Sequence, residues 1–321
     1  MPLRQAKKRR VLRLFFVSDI HGSEVCFRKF LAAAKVYEPD VLLLGGDFAG
    51  KAIVPVLRRG DQISTMLDGE TVVPLADYDE LAAGITRRGF YPVLMDDEEF
   101  ARLNADPEAL EQLFRTEIAA QARRWCDLAA ERLDPRIRII ITPGNDDPWE
   151  ADSVFADSER VEFPSFTTCE LGPFTMASLG IVPTTPWNTE REAPEEEIAK
   201  RIEDMLEPLP ADTKLILNFH SPPYGSTLDD APELDDKLRP VIRGGRPSIV
   251  PVGSHAVRDA IKKYQPGVAL HGHIHESRGV QKIGRTLCIN PGCDYSSGVL
   301  RGAVVDLAED GTCLDFLLTT G

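Results

Sequence analysis

The chain has 321 residues, of which 43% are hydrophobic and 27% are charged, a composition typical of a folded globular protein. Its formal net charge of -14 disfavours nucleic acid and anionic membranes as partners, because binding to polyanions requires a positive field. No run approaches the roughly 20 apolar residues of a membrane span. There is also no apolar leader with a small-residue cleavage site, so we expect a cytoplasmic protein.

The N-terminal basic run, Lys7 to Arg10, is interpreted as a solvated arm ahead of the first strand, with nucleic-acid binding as the alternative. The six cysteines are scattered and form no CxxC pair. We therefore expect reduced and mostly buried thiols, with neither a disulfide framework nor a zinc knuckle.

Short apolar runs alternate with helical patterns along the chain. Strands are predicted at 11–17, 41–44, 137–142, 214–219 and 267–270, with helices at about 23–36 and 193–209. Apolar runs of this length, separated by helices, favour buried strands in an α/β sheet. Four further short strands after residue 278 predict a second, antiparallel sheet region.

Residues 48–133 break this rhythm, and we predict that they form a cap inserted into a main domain made of residues 1–47 and 134–321. The cap is predicted to contain a hairpin over 52–75 and a helix at 77–88. A short strand, FYPVL, an acidic helix and a long helix over 107–133 follow.

Polar side chains follow each of five predicted strands in the main domain. The strand exits read SDIH, GGDF, PGNDD, HSPP and HGHIH. Ligand sites in α/β sheets form at the carboxyl ends of strands, where loops converge and strands hold them rigid. The pattern therefore predicts one composite site.

The ordered blocks D-x-H, GD, GN, H and G-H-x-H resemble the calcineurin-like metallophosphoesterase family, and the resemblance spans about residues 11–275. It implies a four-layer αββα sandwich, with two packed mixed sheets flanked by helices. It also implies two divalent metal ions, the first held by Asp19, His21, Asp47 and His275 and the second by Asp47, Asn145, His220 and His273.

The implied ligands are nitrogen and oxygen atoms only, which favours Mn2+, Fe2+/3+, Zn2+, Co2+ or Ni2+ without distinguishing among them. The resemblance implies hydrolysis of a small phosphoester by in-line attack of a metal-bridging hydroxide, with Asp47, Asn145, Asp146 and His220 as the catalytic residues. We expect phosphodiesters or small nucleotide-type substrates; the oligomeric state is not predicted.

One position departs from the family pattern, because the histidine that usually follows GN is replaced by Asp146. An ionised aspartate would repel a phosphate. Two interpretations stay open: Asp146 is an acid of raised pKa, or it is turned away and another group acts as donor. His255 is one candidate for such a group, and the alternative is that it simply starts a helix.

Three other positions carry weaker expectations. Asp147 is expected to orient a ligand by hydrogen bonding, and Arg243 and Arg246 are either phosphate contacts or ordinary loop residues. His271 is expected to be buried and not to bind metal. The alternative functions are a non-catalytic metal-binding scaffold of the same fold and a nuclease, the latter disfavoured by the acidic composition.

Overall fold

A computed structural model describes residues 9–321 of the chain. Half of the predicted basic arm, Lys7 and Lys8, lies outside these residues. None of the helices in the described range combines the length and hydropathy that a membrane span needs.

The five strands predicted before the polar motifs lie close to the apolar runs of the sequence, and further strands occur elsewhere in the described range. In chain order the strands are β1 Arg10–Val17, β2 Val41–Gly45, β3 Ala52–Arg59, β4 Gln62–Thr65, β5 Thr71–Pro74, β6 Phe90–Met95, β7 Arg138–Thr142, β8 Val161–Glu162, β9 Thr168–Leu171, β10 Phe174–Leu179, β11 Val182–Pro183, β12 Glu192–Ala193, β13 Leu215–Phe219, β14 Asp230–Pro232, β15 Ile242–Arg243, β16 Arg246–Pro247, β17 Ile249–Pro251, β18 Val268–Leu270, β19 Gly279–Ile283, β20 Thr286–Asn290, β21 Arg301–Ala308 and β22 Cys313–Thr320.

The α-helices are α1 Glu24–Tyr37, α2 Tyr78–Arg87, α3 Asp97–Ala105, α4 Pro107–Arg132, α5 Ala151–Ala156, α6 Glu195–Leu206 and α7 His255–Tyr264. Several start at side chains that accept hydrogen bonds from free backbone N–H groups. Ser23 caps α1 in this way, and Asp106 caps α4 immediately before Pro107. Helix α3 begins with a reciprocal capping box between Asp96 and Glu99.

Two six-stranded sheets form the centre of the molecule. Sheet I has the order β22-β21-β1-β2-β7-β8, and sheet II has the order β19-β20-β18-β13-β10-β9. In sheet I, β1, β2 and β7 run parallel, whereas β21 and β22 are antiparallel. Sheet II likewise combines parallel pairs at its centre with antiparallel pairs at its two edges. Both sheets are therefore mixed, and the five strands that precede the polar motifs lie at or near their centres.

Alternate residues of the central strands face opposite sides of each sheet. One side packs against the other sheet, and the other side packs against helices. Phe16 and Leu43 of sheet I pack against Ile216 and Leu270 of sheet II in the core between the sheets. On its other face, sheet I presents residues such as Val17 to helices α1, α4 and α5.

Helices cover the outer faces of both sheets. Over sheet I, Phe27 of α1 and Trp125 of α4 stack with ring centroids 4.1 Å apart in a fully buried contact. Over sheet II, Ile198 of α6 and Val257 of α7 share a core with Leu217 of β13. The order helix, sheet, sheet, helix confirms the predicted four-layer αββα sandwich.

The cap elements surround a separate small core. Strands β3 to β6 form a four-stranded sheet of order β5-β4-β3-β6, in which β3 and β6 are parallel. Val54, Val56 and Ile63 pack there against Ile85 of α2. The boundaries 48–133 stay a prediction, since helix α4 packs mainly against sheet I rather than against this cap core.

The expectation of a separate antiparallel region after residue 278 is wrong. The hairpin of β19 and β20 joins sheet II, where β20 lies parallel to β18. The hairpin of β21 and β22 joins sheet I next to β1. Each central sheet has an edge strand whose backbone N–H and C=O groups need hydrogen-bond partners. One hairpin supplies these partners to each sheet.

Candidate metal centre

The motif loops after β1 and β2 run side by side and are bonded through their backbones. The N–H of Asp19 donates to the carbonyl of Gly46 at 3.0 Å, and that of His21 donates to the carbonyl of Asp47 at 2.9 Å. The N–H of His273 donates to the carboxylate of Asp19, with 3.0 Å to Oδ1. Three motifs that are distant in sequence are thereby held at one place.

The side chains of the first predicted ligand group lie close together. One ligand atom each of Asp19, His21, Asp47 and His275 lie within 4.8 Å of one another. The Nε2 atoms of His21 and His275 are 3.0 Å apart, and His275 Nε2 is 3.4 Å from Asp19 Oδ1. Nitrogen and carboxylate donors grouped at this spacing suit a divalent transition-metal ion.

The second predicted group adjoins the first through Asp47. His220 Nε2 is 3.4 Å from Asp47 Oδ2, and the His220 and His273 rings have centroids 5.6 Å apart. The side-chain amide of Asn145 donates to Asp146 Oδ1 at 2.8 Å. The backbone N–H of Asp146 in turn donates to Asp47 Oδ1 at 3.0 Å. The assignment of Asp47, Asn145, His220 and His273 to a second ion stays a prediction.

Hydrogen bonds on the far side of the rings orient the donors. His220 Nδ1 lies 3.1 Å from the carbonyl of Gly45, so Nδ1 carries the proton and Nε2 presents its lone pair to the carboxylates when the ring is neutral. Within the described chain, His220 Nε2, His21 Nδ1 and Asn145 Oδ1 are buried without hydrogen-bond partners. Buried polar atoms are costly unless something binds them, so these residues fit a cation.

Glycines in the motifs leave room that a side chain would fill. A Cβ at Gly144 would collide with Asp47 Oδ1 and lie 2.7 Å from His220 Nε2. A Cβ at Gly272 would collide with Asp19 Oδ2. The glycines of GN and GH thus allow backbone to approach the ligand side chains closely.

Four of the predicted ligand residues have left-handed backbone conformations. Their φ angles are 57° at Asp19, 39° at His21, 51° at Asp47 and 66° at His273. Such conformations are unfavourable for residues other than glycine, and they are characteristic of functional sites. The fold therefore holds these side chains in place at a conformational cost.

The protein groups of the site shift the pKa values of one another. Burial lowers the pKa of His273 to about 4. For His220 burial opposes protonation, but the charges of Asp47 and Asp19 outweigh it and raise the pKa to about 10. The same pairing holds the pKa of Asp47 well below its usual range despite burial.

Asp146, the residue in the usual histidine position, faces the site. Its Oδ2 lies 3.8 Å from His21 Nδ1 and forms an ion pair with the ammonium of Lys51. Burial and the charge of Asp47 raise the pKa of Asp146, and Lys51 opposes that rise. Asn145 and Lys51 both hold the carboxylate of Asp146 at the site. Of the two interpretations left open, this position disagrees with a residue that is turned away and leaves that of an acid of raised pKa.

Two residues beside the ligands were missed by sequence reasoning. Lys51 lies between β2 and β3, immediately before the first strand of the cap, and the ring of Tyr295 lies 4.8 Å from that of His21. No local pattern distinguishes Lys51 from a surface lysine. Tyr295 lies outside every motif, so only the folded chain places it here.

Asp147 connects two motif loops rather than orienting a ligand side chain. Its carboxylate accepts from the N–H groups of Ala49 and Gly144, each at 2.8 Å, and from that of Phe48 at 3.3 Å. These bonds join the loop after Asp47 to the loop that carries Asn145. Asp147 therefore positions the backbone on which both predicted ligands lie.

The remaining sequence candidates lie elsewhere. His255 is the first residue of α7, stacks on Tyr224 at 3.9 Å and donates its N–H to Glu195, which confirms its interpretation as a helix start. Arg243 and Arg246 are exposed in the two-residue strands β15 and β16. His271 is buried, with Nδ1 2.8 Å from the carbonyl of Phe219, as expected of a core residue.

No protein-family model matches the chain. The uncharacterised protein MJ1162 of Methanocaldococcus jannaschii is 34% identical over 109 residues, which are 33% of this chain and 43% of that relative. The chain therefore matches less than half the length of that relative.

Solved structures match over nearly the whole chain. The crystal structure of TT1561 of Thermus thermophilus has a TM-score of 0.53 at 17% identity, covering 97% of this chain and 98% of that one. Another crystal structure has a TM-score of 0.55 at 14% identity, covering 96% and 98%. A novel archaeal phosphodiesterase also matches, at a TM-score of 0.31 that is too low to bear on the fold.

The two higher scores show a shared fold. The motif order, the four-layer sandwich and the convergence of the motif side chains agree with one another. The chain therefore shares the fold of those two structures, and its ordered motifs resemble those of the calcineurin-like metallophosphoesterases.

Proposed function

We propose that the chain is a dinuclear metal-dependent phosphoesterase that hydrolyses phosphodiesters or small nucleotide-type esters. The observation that carries the proposal is the position of Asp47 between the two ligand groups. Its Oδ2 lies 3.7 Å from His21 Nε2 on one side and 3.4 Å from His220 Nε2 on the other. A carboxylate at this position is placed to bridge two ions.

The donor set defines the class of ion. His21, His220, His273 and His275 contribute imidazole nitrogens, and the remaining donors are oxygens, which suits Mn2+, Fe2+/3+, Zn2+, Co2+ or Ni2+. Bound ions of this kind supply a water of lowered pKa and positive charge for the phosphoryl oxygens.

The protein's own residues prepare the site for an anion. The ammonium of Lys51 forms an ion pair with Asp146, so this carboxylate has a cationic partner within the site. Asn145 contributes an oxygen donor without a negative charge. With two divalent ions bound, the pocket becomes locally positive on a chain whose net charge is -14.

A metal-stripped sample reloaded with Mn2+ tests the proposal on an aryl phosphodiester and on the matching monoester. We expect hydrolysis of the diester to be faster, and we expect Asp47→Asn to lower kcat/KM at least about 100-fold because the bridging carboxylate is lost. Undiminished hydrolysis of both esters by Asp47→Asn contradicts a dinuclear mechanism.

Measuring metal content together with activity distinguishes a non-catalytic scaffold from a phosphoesterase. If the intact chain binds two ions and hydrolyses neither ester with any of the five metals, the non-catalytic scaffold is the better description. Hydrolysis of single-stranded DNA faster than of the aryl diester favours the nuclease, which the acidic composition disfavours.

A further inference from the structure

Lys51 lies at the edge of the ligand cluster, and part of its side chain is exposed to solvent. It forms an ion pair with Asp146, whose other carboxylate oxygen accepts from the side chain of Asn145 at 2.8 Å. The side chain of Lys51 is 35% exposed, and that of Asp146 is 20% exposed. Lys51 is therefore linked through Asp146 to the predicted ligand Asn145, and its own side chain is partly exposed.

The backbone around Lys51 is fixed against the metal-ligand loops. The Lys51 N–H donates to the carbonyl of Gly89 at 3.0 Å, and the Gly50 N–H donates to the hydroxyl of Tyr91 at 2.8 Å. A Cβ on Gly50 would lie 2.6 Å from the Gly89 carbonyl, and one on Gly89 would collide with the carbonyl of His21. The cap and the loop of His21 are thus in direct backbone contact.

A second set of hydrogen bonds, through buried side chains, also connects the cap to the loop of His21. The hydroxyl of Tyr91 donates to Gln121 Oε1 at 2.9 Å, and the amide nitrogen of Gln121 donates to the carbonyl of Gly22 at 2.8 Å. Gly22, Gly50, Tyr91 and Gln121 are all buried. The start of the cap, helix α4 and the loop after β1 therefore form one rigid support that presents Lys51 to the site.

The charges of the site require a cation at this position. A phosphoryl group bound at the ligand cluster would approach the Asp146 carboxylate, which lies 3.8 Å from His21 Nδ1. An ammonium has three donor hydrogens, and a contact with one carboxylate oxygen leaves others available. Lysine on a flexible stem can hold a carboxylate and a phosphoryl oxygen together.

We propose that Lys51 binds a phosphoryl oxygen of the substrate, with Asp146 as its counter-ion. The pair takes the place that the family pattern gives to the histidine after GN. This inference rests on the proposed phosphoesterase function, and it assigns to the cap a direct contact with the reacting group in addition to any role in substrate shape.

Inorganic phosphate is the probe, and its affinity for the Mn2+-loaded protein is measured by titration calorimetry. We expect Lys51→Met to weaken phosphate binding roughly tenfold or more, because a charge-assisted hydrogen bond is lost, while Lys51→Arg stays within about threefold. The matched control is Lys263→Met, which removes a lysine paired with Glu207 between α6 and α7. It should leave phosphate affinity unchanged.

A double-mutant comparison separates direct contact from simple neutralisation of Asp146. In the Asp146→Asn background, Lys51→Met should still weaken phosphate binding at least about fivefold. If Lys51→Met has no effect once Asp146 is neutral, Lys51 serves only as a counter-ion and the inference is overturned. Metal content of each variant shows whether the site itself is intact.

The failure of this inference differs from failure of the proposed function. Wild-type protein that hydrolyses the diester while Lys51→Met binds phosphate normally overturns only the role of Lys51. Wild-type protein that hydrolyses nothing but loses phosphate affinity in Lys51→Met, in both backgrounds, supports the contact and removes the hydrolytic function.

Discussion

The Nε2 atoms of His21 and His275 lie 3.0 Å apart although the two residues are 254 positions apart in the chain. Two imidazole nitrogens at this distance either form a hydrogen bond, with one ring as donor, or bind one metal ion together. Burial holds the pKa of His21 well below its ordinary value, so the His21 ring is neutral and offers one nitrogen lone pair. The two nitrogens are close enough for both rings to serve as ligands of the first predicted metal ion.

Alanine substitutions in the HGHIH motif should distinguish the histidines that bind metal from the one that belongs to the core. We expect His273→Ala and His275→Ala each to reduce bound Mn2+ from two ions toward one, because each imidazole serves one ion. His271→Ala should retain both ions and lower the free energy of unfolding by about 1–3 kcal/mol, since its buried bond to Phe219 is lost.

Metal analysis by mass spectrometry and urea unfolding measure the two effects. Loss of an ion in His271→Ala, or full metal content in His275→Ala, contradicts the assignment.

Gly144→Ala should disable the centre without removing any ligand. The added Cβ would collide with Asp47 Oδ1 and crowd His220 Nε2, so both donors must move. We expect metal affinity to fall at least about tenfold, as for other changes that displace ligands without replacing them. Gly172→Ala is a comparison at a glycine with open space around it, although its φ of 63° costs some stability. Equal metal affinity in both variants would rule out crowding as the reason for this glycine.

Metal binding should release protons near neutral pH. His220 has a pKa of about 10 beside Asp47 and Asp19, so it is protonated near neutral pH and must lose that proton to bind an ion. Apparent affinity should therefore rise with pH, by about tenfold per unit for one displaced proton, until the pH passes the pKa of His220.

Calorimetry in two buffers of different ionisation enthalpy counts the protons. We expect at least one proton to be released by wild-type protein and one fewer by His220→Asn. A binding enthalpy that is the same in both buffers would show that His220 is already neutral.

Tyr91→Phe should weaken the support beneath Lys51. The change leaves the Gly50 N–H and Gln121 Oε1 without their buried partner. We expect the free energy of unfolding to fall by about 1–3 kcal/mol and the Gly50 amide to exchange faster with solvent. Urea unfolding and hydrogen exchange measure these changes. If the Gly50 amide exchanges as slowly in Tyr91→Phe as in the wild type, the Tyr91 hydroxyl does not hold this part of the cap in place.

Much of the site could be predicted because each motif follows a buried strand. The apolar runs before Asp19, Asp47 and Asn145 form β1, β2 and β7, neighbouring parallel strands of sheet I. The runs before His220 and His271 form β13 and β18 of sheet II. Parallel neighbours end at the same edge, so local patterns were sufficient to predict convergence there.

The contacts that cross between distant elements could not be predicted in this way. Lys51 reaches Asp146 because the cap is fastened to the loop of His21, and Tyr295 reaches His21 from a short helical turn after β20. The hairpins β19–β20 and β21–β22 have similar local patterns but join different sheets. Strand partners and cap contacts depend on which edges and surfaces are free, which no single segment encodes.

The sequence by itself determined which residues could carry the chemistry, since hydrophobic periodicity located the strands and the polar residues after them supplied nitrogen and oxygen donors. The tertiary structure alone decided how those donors are held. The left-handed backbone at Asp19 and Asp47 and the pairing of Lys51 with Asp146 arise from packing between layers and cap. The backbone preference of a non-glycine residue disfavours the left-handed conformation. The local sequence contains no signal for the pairing of Lys51 with Asp146. Both features are therefore produced only by the complete fold.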